Sequence, residues 1–166
     1  MVSKLPCDLV STKSIPPEIE DEILEAFTTY SLEDDMKVKD LPSFYRDLKI
    51  PKKFIIGNKR IEPNQLSIEG TDIIDFDKLL HRSYQLILFR DHKDIILENW
   101  NLLQKNSDMK TSLDFKDIKE LSDDVKTGIN DSLLLDMVAI ATEGQSVHVN
   151  FIDFCYTIGK LGELNY

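Results

Sequence analysis

The side chains of this chain best suited to catalysis or transition-metal binding are three histidines, His81, His92 and His148, and two cysteines, Cys7 and Cys155. Metal sites built from these residue types repeat them at short spacings, and no such spacing links the five positions. Each glycine is isolated, so the sequence has no glycine-rich loop that could cradle a phosphate. No serine stands in a nucleophile elbow. The sequence therefore predicts a protein that is not an enzyme and that carries no cofactor.

Acidic residues between the predicted helices offer a second chemistry, the binding of a hard cation such as Ca²⁺. A calcium-binding EF-hand loop of twelve residues supplies oxygen ligands from positions 1, 3, 5 and 12, with glycine at position 6. Four segments can be tested against this pattern, residues 31–40, 67–78, 104–117 and 142–153. The first is two residues too short and has no glycine. The second has Lys78 at position 12, and the fourth has Val147 at position 6.

The third segment comes closest to a calcium loop. Counted as twelve residues from Asn106, it offers Asn106, Asp108, Asp114 and Asp117 as oxygen donors, but Lys110 takes position 5. Because calcium affinity follows the number and geometry of the carboxylates, we expect all four loops to bind calcium very weakly or not at all, and predict no metal site. Weak binding at the third loop stays open. The alternative function, that of a calcium-responsive sensor or a cytoskeletal light chain, therefore stays open as well.

The loops lie between stretches whose apolar residues recur at helical spacing. Helices are predicted to begin at Pro16-Pro17 and near Asp40, Asp75, Asp91 and Lys116, and to cover residues 133–141 and 151–161. Strand character is confined to three short places, Ile73-Ile74, Leu113 and Val147–Val149. The predicted fold class is therefore all-α.

An internal repeat relates the two halves of the chain. Residues 21–30 match residues 94–103 at an offset of 73, and residues 39–41 match residues 116–118 at an offset of 77. Repeats of this kind indicate duplicated structural units, here four helix–loop–helix units in two lobes. The predicted organisation is a flexible tail over residues 1–16, an N-terminal lobe over 17–90 and a C-terminal lobe over 91–166.

Charge and composition argue against several classes of protein. Twenty Lys and Arg against thirty Asp and Glu give a formal charge of −10, which argues against a dedicated nucleic-acid-binding protein. A hydrophobic content of 42% is sufficient for a buried core and too high for a disordered chain. Two cysteines, and apolar runs too short for a signal peptide or a membrane span, favour a reducing compartment, the nucleus or the cytoplasm.

Several segments carry a resemblance to a known family. Pro17–Glu25, Glu69–Phe76, Ala141–Gly144 and Gly159–Gly162 resemble the centrin-like subunits of fungal damage-recognition complexes in nucleotide excision repair, within the calmodulin and centrin superfamily. The resemblance implies a nuclear, non-catalytic and calcium-independent adaptor with degenerate EF-hands. It also implies a partner, the large damage-recognition protein that is the fungal counterpart of the xeroderma pigmentosum group C protein, together with its ubiquitin-like companion.

The resemblance further implies where a partner helix lies, because centrin-like proteins hold such a helix in an apolar groove of the C-terminal lobe. Ten positions of this chain match that groove: Trp100, Leu103, Leu113, Ile118, Leu121, Met137, Val138, Val149, Phe154 and Ile158. Any helical lobe buries residues of this kind, so an ordinary core is the alternative for several of them. An acidic rim either steers a basic helix or is a solvated surface, and consists of Asp117, Glu120, Asp123, Asp124, Asp131 and Asp136.

A basic segment surrounds the prolines and the glycine between the two helix pairs of the N-terminal lobe. It comprises Lys49, Lys52, Lys53, Lys59 and Arg60. We predict a solvated connector here. Contact with a DNA backbone that the partner holds is the alternative.

Overall fold

The computed structural model of the protein describes residues 14–104, 111–161 and Leu164. This part of the chain is mostly helical, which confirms the predicted all-α class. The helices are α1 (Pro17–Ser31), α2 (Leu41–Asp47), α3 (Pro63–Leu66), α4 (Phe76–Asp91), α5 (Lys93–Leu103), α6 (Phe115–Asp124), α7 (Asp131–Ala141) and α8 (Phe151–Lys160). Two short strands, β1 (Ser112–Leu113) and β2 (Val149–Asn150), form one sheet. No helix within the described ranges is long and apolar enough to cross a membrane.

The chain divides into two units, of which one ends at His92 and the other begins at Lys93. We call them the N-terminal unit (residues 14–92) and the C-terminal unit (residues 93–104, 111–161 and Leu164). In the N-terminal unit, α1 packs against α2 and α4, and α3 packs against α4. Its core contains Ile23, Phe44, Phe54, Leu79 and Phe89, all of which are almost completely buried.

The proline- and glycine-containing segment after α2 is folded onto this core. It contains two 3-10 turns, Lys52–Phe54 and Lys59–Ile61, followed by α3. Phe54 is fully buried, and its ring lies 5.7 Å from the ring of Phe89. Its carbonyl accepts a hydrogen bond from the buried side-chain amide of Asn58. The predicted connector is therefore solvated only on the side that carries its lysines.

Two loops of the N-terminal unit pair with each other in antiparallel fashion. An antiparallel bridge joins Lys37 of the first loop to Ile73 of the second, and a further bridge, Ser67 to Ile74, lies within the second loop. The Ile74 N–H donates to the carbonyl of Met36 at 2.9 Å, and both side chains are buried. The loop between α1 and α2 is thereby held against the loop that precedes α4.

The C-terminal unit has a similar pairing between the loops before α6 and α8. The register of β1 and β2 places Leu113 opposite Val149, and both side chains are buried. The strand starts two residues later than the predicted Val147, because Val147 is exposed and its neighbour His148 points to solvent. Helix α8 packs against α5 and α7, and α6 packs against α7.

Candidate functional site

Acidic residues at the ends of the third and fourth candidate calcium loops cap helices. Asp117 accepts a hydrogen bond from the backbone N–H of Asp114 at 3.0 Å, and Asp153 accepts one from Asn150 at 3.2 Å. The side chains of Asp114 and Asn150 in turn accept hydrogen bonds from the backbone N–H groups of Asp117 and Asp153, each at 2.9 Å. Such a reciprocal pair satisfies two free N–H groups at a helix start. These carboxylates, at position 12 of their loops, therefore point at the protein's own backbone.

Metal-ligating side chains do not converge elsewhere in the described ranges. No group of three or more His, Cys, Asp or Glu residues there could hold a metal ion. Asn106, Asp108 and Lys110 of the third loop lie outside the described residues, as does Cys7. The very weak or absent calcium binding expected of the third loop therefore stays a prediction, with weak binding as the open alternative.

The second loop contains a cation of its own. The ammonium group of Lys78, at position 12, donates a hydrogen bond to the carbonyl of Ser67 at 3.1 Å. It also lies 3.6 Å from a carboxylate oxygen of Asp75. Ser67 is the first residue of that loop, so the ammonium bridges the two ends of the segment.

The ten predicted groove residues differ in how deeply the structure buries them. Trp100, Leu113, Val138 and Val149 are buried. Leu103, Ile118, Leu121, Phe154 and Ile158 are half-buried, and Met137 is 48% exposed.

Much of the predicted groove is packed in the core of the C-terminal unit. Val138 and Val149 form a cluster with Ala141, and Ile118 and Phe154 pack against that cluster. The ring of Trp100 lies 5.2 Å from the ring of Phe154. Of the ten positions, Met137 is the one whose side chain is largely free to meet a partner.

An exposed apolar stripe on α7 adds residues that the sequence-based prediction missed. Leu133, Met137 and Ile140 are 49%, 48% and 54% exposed, and their i, i+4, i+7 spacing aligns them along one side of the helix. We call them the α7 stripe. The buried side of the same helix carries Leu134 and Val138. Since both sides are apolar, the sequence of α7 does not reveal which one faces the core.

The predicted acidic rim is partly occupied by internal contacts. Asp131 accepts a hydrogen bond from Lys119 at 3.0 Å, and this contact raises the pKa of the lysine. Glu120 lies 3.8 Å from Lys116, one turn earlier on α6. Asp117 caps α6. Asp123, Asp124 and Asp136 are exposed.

Two of the histidines contact a backbone carbonyl one turn earlier in the chain. Nδ1 of His81 lies 2.8 Å from the carbonyl of Asp77, and Nδ1 of His92 lies 2.9 Å from the carbonyl of Leu88. His148 is exposed beside β2. Cys155 is buried within α8.

Two comparisons with known proteins agree on a family. The Rad33 family model matches residues 11–63 and 61–137 of the chain. The DNA repair protein RAD33 of Saccharomyces cerevisiae is 31% identical over 167 aligned residues, which cover 95% of this chain and 92% of that protein. The likeness thus extends over both units and is not confined to one motif. The chain belongs to the Rad33 family.

Proposed function

We propose that this protein is a non-catalytic adaptor in DNA repair that holds a helix of the large damage-recognition protein of nucleotide excision repair. The adaptor acts in the nucleus and needs no calcium. The name of its yeast relative supports the repair role. The resemblance of its helix starts to centrin-like subunits supports the partner.

The arrangement of the helices supports the EF-hand-like part of the proposal. In each unit, two loops that connect helices are joined by a short antiparallel pairing. Three of the four candidate loops place the residue at position 12 in a cap or an internal ion pair. Such loops keep the scaffold in place without an ion, so the partner-binding surface is present at any calcium concentration.

The observation that carries the proposal is the α7 stripe. Among the described residues, nine large apolar side chains of the C-terminal unit are exposed, against four in the N-terminal unit, and four of the nine lie on α7. An exposed row at i, i+4 and i+7 beside half-buried apolar side chains is the surface that an amphipathic helix covers. Met137 at its centre is flexible and suits such a surface.

Binding of this kind protects the partner by mass action. A ligand that binds only the folded state stabilises it by RT ln(1 + [L]/Kd), about 2.7 kcal/mol at a hundredfold excess over Kd. The adaptor therefore raises the abundance of the recognition protein without contributing a chemical step.

The test is co-purification of the full chain with a fragment of the recognition protein. We expect Met137→Asp to abolish co-purification, because it places a carboxylate in the apolar contact. Leu135→Asp is the matched control, since Leu135 is 53% exposed on the same helix but projects from a different side. Phe154→Asp is a poor test, because Phe154 packs against Trp100 and the core cluster.

Circular dichroism of each variant alone separates loss of binding from loss of folding. A second substitution on the stripe, Leu133→Asp, should weaken co-purification as well. Retention of the partner by folded Met137→Asp and Leu133→Asp proteins would reject the α7 stripe as the binding surface.

A further inference from the structure

The N-terminal unit contains an apolar cavity that the proposed function does not use. Its volume is about 620 Å³, and it lies between α2, the two 3-10 turns after it and the start of α3. Its floor is formed by Leu41, Tyr45, Ile50 and Ile61, whose side chains are buried by the protein itself. A cavity of this size is in the range of known ligand pockets and accommodates large apolar side chains of a bound peptide.

The rim of this cavity is positively charged. Arg46, Lys52 and Lys59 line it together with one carboxylate, Glu62, and all four are exposed. Residues 46–62 carry six cationic and two anionic side chains, a local charge of +4 in a chain whose formal charge is −10. Within the described ranges, no ion pair involves Lys52 or Lys59. Their charges are thus available to a ligand.

We propose that this cavity is a second docking site, which binds an acidic peptide segment of a partner protein. An aromatic or aliphatic side chain of the peptide enters the cavity, and carboxylates on either side of it meet Lys52, Lys59 and Arg46. Charge complementarity selects this occupant, because exposed cations around an apolar floor match an apolar anchor flanked by acids. The site is independent of the α7 stripe.

Nucleic acid is the less suitable occupant for the same cations. A sugar-phosphate backbone has no apolar side chain to place over Leu41 and Ile61, and the acidic remainder of the chain repels a long polyanion. A short peptide meets only the local field, because charges beyond about 10 Å are largely screened at physiological salt.

The test uses the full chain and a fluorescein-labelled synthetic peptide in which Trp and Leu alternate with Asp and Glu. Two further peptides serve as controls, one with Gln and Asn in place of the acids and one with Ser in place of the apolar residues. We expect fluorescence anisotropy to detect binding of the first peptide, weakening with added salt, and at least a tenfold loss with either control. Equal binding of the Ser peptide would overturn the docking of an apolar anchor.

Variants of the protein locate the site. We expect Lys52→Glu with Lys59→Glu to weaken binding of the acidic peptide about tenfold. Lys93→Glu with Lys116→Glu, which makes the same charge change in the C-terminal unit, should leave it unchanged. Val38→Phe, which fills the cavity from its wall, should also abolish binding while the rim charges stay in place.

The outcomes distinguish the sources of binding. Equal loss with both charge-reversed pairs would show attraction that is not tied to the cavity, and would reject the site. Binding of a duplex oligonucleotide that the rim variant abolishes and Val38→Phe leaves intact would assign the cations to nucleic acid instead. Loss of the α7 contact in Met137→Asp should not alter peptide binding, so the two proposals fail separately.

Discussion

At the scale of single residues, a side-chain hydrogen bond joins Tyr30 at the end of α1 to Asp47 at the end of α2. The phenol O–H donates to the carboxylate. This hydrogen bond, with a smaller effect of burial, raises the pKa of Tyr30 above its ordinary value of 10.0, because ionisation would place a phenolate beside a carboxylate. The contact therefore ties two helix ends together only while the phenol is protonated.

The sign of the pH dependence follows from the raised pKa. Below pH 10 the phenol is neutral in both states, and the contact contributes fully to stability. As the pH rises further, the unfolded chain ionises first, so the stabilisation is lost as the pH passes through the folded pKa. We expect Tyr30→Phe to lower stability at neutral pH by about 0.5–1 kcal/mol and to flatten the alkaline decline. Urea unfolding at a series of pH values measures both effects.

A second tyrosine, Tyr84, also contributes to the loss of stability at alkaline pH. Its pKa is also raised, by burial, so part of the alkaline decline should remain in Tyr30→Phe. Ultraviolet difference absorbance of Asp47→Asn should show Tyr30 ionising at a lower pH than in the unaltered protein. An unchanged alkaline slope in Tyr30→Phe would contradict the assignment.

At the scale of elements, Arg90 connects three parts of the N-terminal unit. From the end of α4, its guanidinium donates to Glu22 on α1 at 2.6 Å and to the carbonyl of Leu48 after α2 at 2.7 Å. The contacts with Glu22 and Asp91 keep the pKa of Arg90 above its usual value, so the charge is permanent. A planar cation with several donors can satisfy a carboxylate and a carbonyl at once, which an ammonium group does less well.

Arg90→Gln should therefore destabilise the N-terminal unit by about 1–3 kcal/mol, because it leaves Glu22 and the Leu48 carbonyl without this donor. Arg82→Gln is the matched control on the same helix, since Arg82 bonds only to Gln85 one turn away among the contacts described. Hydrogen exchange of the α1 and α4 amides measures the loss. Equal effects of the two substitutions would show that Arg90 does not join the elements.

The helices themselves were largely predictable, because the residues that start them act locally. Pro17 begins α1, and Asp75 and Asn150 cap α4 and α8 with their side chains. The fold of residues 52–66 was not predictable in this way. Its short turns are stabilised by burial of Phe54 and Leu66 against distant residues, which leaves no periodic pattern in the sequence.

At the scale of the whole molecule, which apolar residues of the C-terminal unit are exposed was only partly predictable. Correspondence with centrin-like proteins selected apolar positions, but Trp100, Val138 and Val149 are core residues in this chain. Leu133 and Ile140 were missed, because the run Leu133–Leu135 has no polar residue to mark its outer side. Which of these leucines is exposed depends on how α6 and α8 pack against α7.

Calcium provides the test of the alternative function as a sensor. A sensor-class site with a Kd of about 10 µM would raise the free energy of unfolding by about 2.7 kcal/mol at millimolar calcium. We expect no shift in the urea midpoint between calcium and chelator, and no heat of binding by calorimetry. A site tighter than about 1 mM would favour the sensor and count against the adaptor.

Because the Lys78 ammonium is part of the chain, the second loop does not depend on a dissolved cation for its positive charge. A bound metal ion exchanges with the solution and can be stripped by chelators, displaced by competing ions or diluted away. A cation attached to the chain by its own side chain stays with the loop under all of these conditions. The N-terminal unit therefore keeps a positive charge at this loop without taking up a cation from solution.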